Sequence, residues 1–290
     1  MFDPTVSVFE NTQHQLAESP LWHPLLNTLF WVDINKKQLL SKGIKDICRV
    51  NTITMPDTLS ALAWIDESHL LLSTSTGLYK YHIESHSREL IINIEQDHLK
   101  RRSNDGRADP WGGFWLSTMD INAKKGEGKI YRYYKQHLVE VITDLSIPNG
   151  LCFDKSRLCG YYCDSLTSCI YVISLNELTG EPCSKPSVFY QFSNTDVDPD
   201  GCVLDKCGNL WVAVWDMGCV MCLSPQAELL TTIKLPAIKV TCTAFGGKNA
   251  ETLFVTSAFD EQYKEAKEQQ GMIFQISGIN NGRFDPPVIV

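Results

Sequence analysis

Six short apolar runs recur along this chain at intervals of 41 to 49 residues: FWVDI from Phe30, LLSTS from Leu71, FWLST from Phe114, YYCDS from Tyr161, LWVAV from Leu210 and LFVTS from Leu253. Each is followed by a second strand-like segment: LLSKGI from Leu39, GLYKYHI from Gly77, KIYRYY from Lys129, CIYVISL from Cys169, CVMCLS from Cys219 and MIFQIS from Met272. Each is also preceded by one: ESPLWH from Glu18, SALAWI from Ser60, NDGRAD from Asn104, NGLCFD from Asn149, DGCVLD from Asp200 and TCTAFGG from Thr241. Helix-like periodicity is nearly absent, and Gly, Asn, Asp and Pro bound the runs, which is the strand-and-turn pattern. A repeat of this length is that of a four-stranded propeller blade. Three strands per copy with a more variable outer fourth predict an all-β, six-bladed β-propeller, with residues 1–290 forming one domain.

A closed propeller leaves no blade unpaired at the seam. The segment Thr5–Phe9 has no partner ahead of it, so it is expected to supply the outer strand of the blade that ends the chain. The stretch Asp260–Gln270 is the exception to the β pattern and reads as a short surface helix or a loop. Trp22, Trp64, Trp115 and Trp211 stand at comparable blade positions and are assigned to the core.

A formal net charge of -8 argues against nucleic acid as a partner, because phosphate binding wants a basic face. No stretch is long and apolar enough for a membrane span, and the N-terminus lacks the basic start and apolar run of a signal peptide. A cytoplasmic location is expected. Eleven cysteines in a chain of this size are best read as reduced thiols used as small core residues. Cys219 and Cys222 have a zinc-like spacing but fall in a predicted strand, where residues three apart face opposite ways. His82, His86 and His98 are expected at the surface, and no histidine pair has metal-ligand spacing.

The six leading strands open on Glu18, Ser60, Asn104, Asn149, Asp200 and Thr241, each 10 to 12 residues ahead of its blade's second strand. The first strand of every blade lines the central channel, so these positions are expected to form a ring of polar side chains. Water in the channel is one explanation and suits Ser60 and Thr241. It suits Glu18 and Asp200 less well, because converging carboxylates repel unless a cation neutralises them. Carboxylate, carboxamide and water ligands suit Ca²⁺, Mg²⁺ or Mn²⁺, with Zn²⁺ possible. Asp198, beside a proline, reads as a turn residue, and Asp105 as a supporting or turn residue.

The stretches AESPLW (17–22), RSNDGRADPWGGFWLSTM (102–119), IPNGLCFD (147–154), PDGCVLDKCGNLWVA (199–213) and TAFGGKNAETLFVTSA (243–258) resemble the SMP-30/gluconolactonase/luciferin-regenerating family across nearly the whole chain. The resemblance implies a six-bladed propeller with one catalytic divalent cation. It implies Glu18, Asn149 and Asp200 as metal ligands, with Arg102 and Asn104 as substrate contacts. Asp120, just after Met119, is the nearest candidate for an acidic substrate-binding residue found in some relatives. The chain departs from the family at Gly218-Cys219, where Gly-Arg is common, and at Ser117-Thr118-Met119, where Gly-Thr-Met is common.

The implied activity is hydrolysis of a sugar lactone to its aldonic acid. The metal would polarise the carbonyl and Asp200 would serve as general base. Two rivals remain: a metal-dependent phosphotriesterase or esterase on the same ligands, and a metal-binding propeller without catalysis.

Overall fold

The computed structural model describes residues 4–44, 49–98, 100–194, 197–263 and 269–290. Their strands form six four-stranded antiparallel sheets, the architecture of a six-bladed β-propeller. Blade 1 comprises Ala17–His23, Thr28–Asp33, Gln38–Gly43 and Asn51–Thr54, and blade 2 comprises Leu59–Trp64, His69–Thr74, Gly77–His82 and Arg88–Asn93. Blade 3 comprises Arg101–Ala108, Phe114–Asp120, Gly128–Tyr134 and His137–Leu145. Blade 4 comprises Pro148–Asp154, Cys159–Asp164, Cys169–Ser174 and Ser187–Gln191. Blade 5 comprises Asp198–Leu204, Leu210–Trp215, Cys219–Leu223 and Leu229–Lys234. Blade 6 comprises Lys239–Gly246, Thr252–Ala258, Ile273–Ser277 and, at its outer edge, Thr5–Glu10.

That last strand carries the expected closure. Thr5 pairs with Ser277, Val6 with Ile276 and Val8 with Phe274, so the start of the chain completes the sheet that ends it. Within each blade, burial falls outward. Pro148–Asp154 and Phe114–Asp120 are buried along their whole length, whereas Asn51–Thr54 and Arg88–Asn93 are mostly exposed. Strands covered on both faces read as continuous apolar runs, and half-covered strands do not. The inner segments are therefore conspicuous in the sequence and the outer ones are not.

The chain divides into two compact units, Met1–Met55 with Asp196–Phe284, and Pro56–Thr195 with Asp285–Val290. In the first, the inner strands of blades 5, 6 and 1 lie side by side over a core that includes Trp211, Phe245, Leu253 and Phe274. In the second, the inner strands of blades 2, 3 and 4 do the same over Phe114, Leu116 and Tyr133. The residues 285–290, which carry no strand signal, dock on this second unit. Val288 is buried there and its N–H donates to the Trp64 carbonyl at 3.0 Å, while Arg107 donates to Asp285 Oδ2 at 2.6 Å.

A recurring device explains two acidic residues at the ends of apolar strands. Asp109 accepts the indole N–H of Trp115 at 2.9 Å, and Asp205 accepts that of Trp211 at 3.2 Å. The same carboxylates take the loop N–H groups of Trp111 and Gly113, and of Cys207 and Asn209. Trp115 and Trp211 thus have their polar atoms met and each hairpin is pinned.

Some local readings hold and others need correcting. Trp64 is only half buried, because its indole N–H reaches out to the Asp285 carbonyl at 2.9 Å, while Trp31 is fully buried and hydrogen-bonds His14. His82 is half-buried, whereas His86 and His98 are exposed. Asp198 opens the inner strand of blade 5, paired with Trp215, instead of forming a turn. Of the segment 260–270, Glu261–Tyr263 forms a 3₁₀ turn and residues 264–268 lie outside those described. Ten cysteines are free thiols, all buried except Cys183 and Cys207; Cys48 lies outside the described residues. Burial pushes the Cys222 thiol up to about 12, which suits a packing role. Among the described residues no helix is long and apolar enough to cross a membrane.

Candidate functional site

Every inner strand carries a register shift at the same place. It falls between Glu18 and Leu21, Leu59 and Ala61, Ser103 and Gly106, Asn149 and Cys152, Pro199 and Cys202, and Val240 and Thr243. A bulge leaves a residue out of the ladder and re-aims its side chain, and such devices collect beside active sites. The six strand-opening residues are therefore not fully equivalent. Glu18 and Asn149 occupy the last paired rung before the bulge, while Ser60, Asn104, Asp200 and Thr241 fall inside it. The residue after each of the first two has a left-handed backbone, with φ of 47° at Ser19 and 67° at Gly150. A serine there is strained, and strain of this kind concentrates at functional sites.

In the second unit the candidate residues of blades 3 and 4 are linked directly. Arg102 Nη1 donates to Asn104 Oδ1 at 2.8 Å, and Asn104 Nδ2 donates to Asn149 Oδ1 at 2.7 Å. Asn149 Nδ2 donates in turn to Ser165 Oγ at 3.1 Å. Asn104 and Asn149 are 9% and 8% exposed, so each retains a small accessible edge, and Arg102 is half-buried. With its amide N–H committed to Ser165, Asn149 has its oxygen on the opposite side, and a carbonyl oxygen has two lone pairs. One receives Asn104, which leaves the other for a ligand.

Asp105, next to Asn104, faces away from this chain of amides. Its Oδ1 accepts the Gly106 N–H at 2.8 Å and its Oδ2 the Leu151 N–H at 3.0 Å. Burial raises the Asp105 pKa, against the opposing pull of these N–H groups and Arg107. Asp105 thus ties its own strand in blade 3 to the Leu151 backbone of blade 4. Asp120 pairs across the strand from Arg101, one rung beyond Arg102, and its Oδ1 accepts the Asn122 N–H at 2.8 Å. It lines a cleft of about 640 Å³ with Arg101, Asn122, Lys124 and Glu127. Lys124 first, and then Arg101, hold the Glu127 carboxyl down to about 2.

In the first unit Glu18 is half-buried and its Oε2 accepts the Ser19 N–H at 2.9 Å. Asp200 is 7% exposed, and the following Gly201 leaves no room for a side chain, since a Cβ there would meet Cys242. Ser60 and Thr241, the two residues for which channel water seemed sufficient, are fully buried. Ser60 donates to Ser103 Oγ at 2.6 Å, and Thr241 Oγ1 donates to the Ala17 carbonyl at 2.6 Å. Their polarity serves contacts between neighbouring blades within each unit. Sequence reasoning missed Ser117, which accepts the Asp105 N–H at 2.9 Å and donates to the Pro148 carbonyl at 2.8 Å, and it missed Ser165. Neither Ser117, within a strand, nor Ser165, opening a 3₁₀ turn, carries a periodic signal that distinguishes these roles.

The sequence pattern of the SMP-30/Gluconolactonase/LRE-like region matches residues 16–259. The chain belongs to this family. Among family relatives, human regucalcin is 30% identical over 280 residues, 91% of each chain. The 6-deoxy-6-sulfogluconolactonase of Pseudomonas putida is 29% identical over 251 residues, 86% of each chain. A solved structure of a calcium-binding regucalcin from Agrobacterium tumefaciens superposes with a TM-score of 0.94 at 32% identity, covering 98% of this chain and 97% of that one. The family match spans all six bulged inner strands, so each candidate residue lies within it.

Proposed function

We propose that the protein is a divalent-metal-dependent lactonase that opens a sugar lactone to its aldonic acid. The observation that carries this reading is the placement of Glu18, Asn149 and Asp200 at the bulge of three inner strands, in a family with a named gluconolactonase among its members. Two carboxylates and one carboxamide oxygen make an all-oxygen donor set, the chemistry that Ca²⁺, Mg²⁺ and Mn²⁺ prefer and Zn²⁺ accepts. A bound ion would supply Lewis acidity to the lactone carbonyl.

The chain's own residues do the rest. Arg102 and Asn104 orient the sugar hydroxyls, and Asp120 offers an acceptor at the adjoining cleft. Asp200 takes a proton from the attacking water as the new C–O bond forms. It returns that proton to the ring oxygen as the ester bond breaks, giving hydroxyl and carboxylic acid. Orientation by a rigid amide chain lowers the barrier by holding the substrate close to its reacting geometry.

Acid release from a panel of sugar lactones tests this. Wild type should turn over lactones in preference to phosphotriesters, lose activity in chelator and regain it with added divalent ion. Asp200→Asn should fall at least about 100-fold in kcat, the scale of lost general-base catalysis. Turnover unaffected by chelator would refute metal dependence, and a preference for phosphotriesters would reassign the substrate. Arg102→Ala should raise KM several-fold with little change in metal affinity; an unaltered KM across the panel would remove Arg102 from the substrate site.

A further inference from the structure

The backbone on both sides of Asn149 is held by the preceding blade. On its N-terminal side the Pro148 carbonyl accepts Asn104 Nδ2 at 3.1 Å and Ser117 Oγ at 2.8 Å. On its C-terminal side the Leu151 N–H donates to Asp105 Oδ2 at 3.0 Å, and the Gly150 N–H also engages the Asp105 carboxylate. Gly150 is left-handed with φ of 67°, so successive N–H groups converge on one anion. Such a backbone concavity ordinarily receives a phosphate or other external anion. Here Asp105, 6% exposed and anchored by the Gly106 N–H at 2.8 Å, fills it from inside the protein.

We propose that Asp105 is a positioning residue for the cation, setting the rung on which Asn149 presents its amide oxygen. The inference rests on the lactonase reading only in taking Asn149 as a ligand. The bulge in blade 4 leaves Gly150 and Leu151 out of the ladder, and three backbone groups around it are tied to blade 3 instead. Asp105 contributes its carboxylate to two of these ties and its own N–H to Ser117, which makes the third. Removing the negative charge while keeping the shape leaves N–H groups facing an amide that can accept only through one atom. Outer partners that orient a metal ligand typically change affinity by about 10- to 100-fold when lost.

The test is calorimetric titration of Ca²⁺ and Mn²⁺ into chelator-stripped wild type, Asp105→Asn and Ser117→Ala, with thermal unfolding of each stripped protein as the check on folding. Asp105→Asn should remain folded and bind the ion about 10- to 100-fold more weakly, with lactone turnover recovering as the ion is raised. Ser117→Ala should weaken binding in the same direction by less, and it carries the test if Asp105→Asn fails to fold. Wild-type binding together with an Asp105→Asn affinity within twofold of it overturns the positioning role and leaves the lactonase reading intact. Wild type that binds neither ion overturns that reading itself.

Discussion

A polar side chain taken out of water must find its hydrogen bonds inside the protein. The six strand-opening residues do so in different ways: Ser60 and Thr241 bond to neighbouring blades, whereas Asn149 is held in a chain of amides that leaves an oxygen lone pair unspent. Another residue of this kind is His14, buried at 1% exposure, with its Nδ1 hydrogen-bonded to the Gly271 carbonyl at 2.8 Å and its Nε2 accepting the Trp31 indole at 3.1 Å. That arrangement needs the neutral ring, and burial lowers the His14 pKa below its ordinary 6.5 despite Asp33 and Glu10 nearby. The unfolded chain therefore takes up a proton that the native state refuses. The contribution is full above pH 6.5 and is lost as pH falls toward the depressed native value, with a slope of at most ~1.4 kcal/mol per pH unit. Urea unfolding at pH 7.5 and 5.5 should show a larger loss for wild type than for His14→Gln; equal losses would refute the assignment. At this scale the acidic and amide residues of the candidate site stand out in the sequence because they interrupt apolar strands. Ser117 and Ser165 do not, since their roles arise only when the fold sets Ser117 against Asp105 and Pro148, and the turn at Ser165 against Asn149.

Elements behave as the burial gradient dictates. The inner three strands of each blade are readable because both their faces are covered, and Thr5–Glu10 is readable because a propeller needs its partner. The bulge leaves no trace in composition: it is a one-residue offset between paired strands, visible only once the register is known. The tail 285–290 is equally silent, being an extended segment without period. Its contacts nonetheless bury Val288 and pair Asp285 with Arg107, whose side chain is 8% exposed. Truncation after Phe284 should therefore destabilise the protein by about 3 kcal/mol, chiefly from lost apolar burial and loss of the Arg107–Asp285 ion pair. Thermal or urea unfolding measures this, and a cost below about 1 kcal/mol would show that the tail only rests on the surface.

At the scale of the whole molecule, the repeat and the family match agree on a six-bladed propeller, and the function we propose depends on one cation. Propellers serve many chemistries and none, so the fold by itself does not choose among them. In the proposed reading the choice rests on Glu18, Asn149 and Asp200 as oxygen donors to one ion. A crystal grown with Mn²⁺ and measured at the manganese absorption edge tests that claim most directly. The account predicts a single strong anomalous peak with Glu18, Asn149 and Asp200 oxygens within about 2.6 Å of it. A peak bound by other side chains, or those three side chains pointing apart with no peak among them, would contradict it.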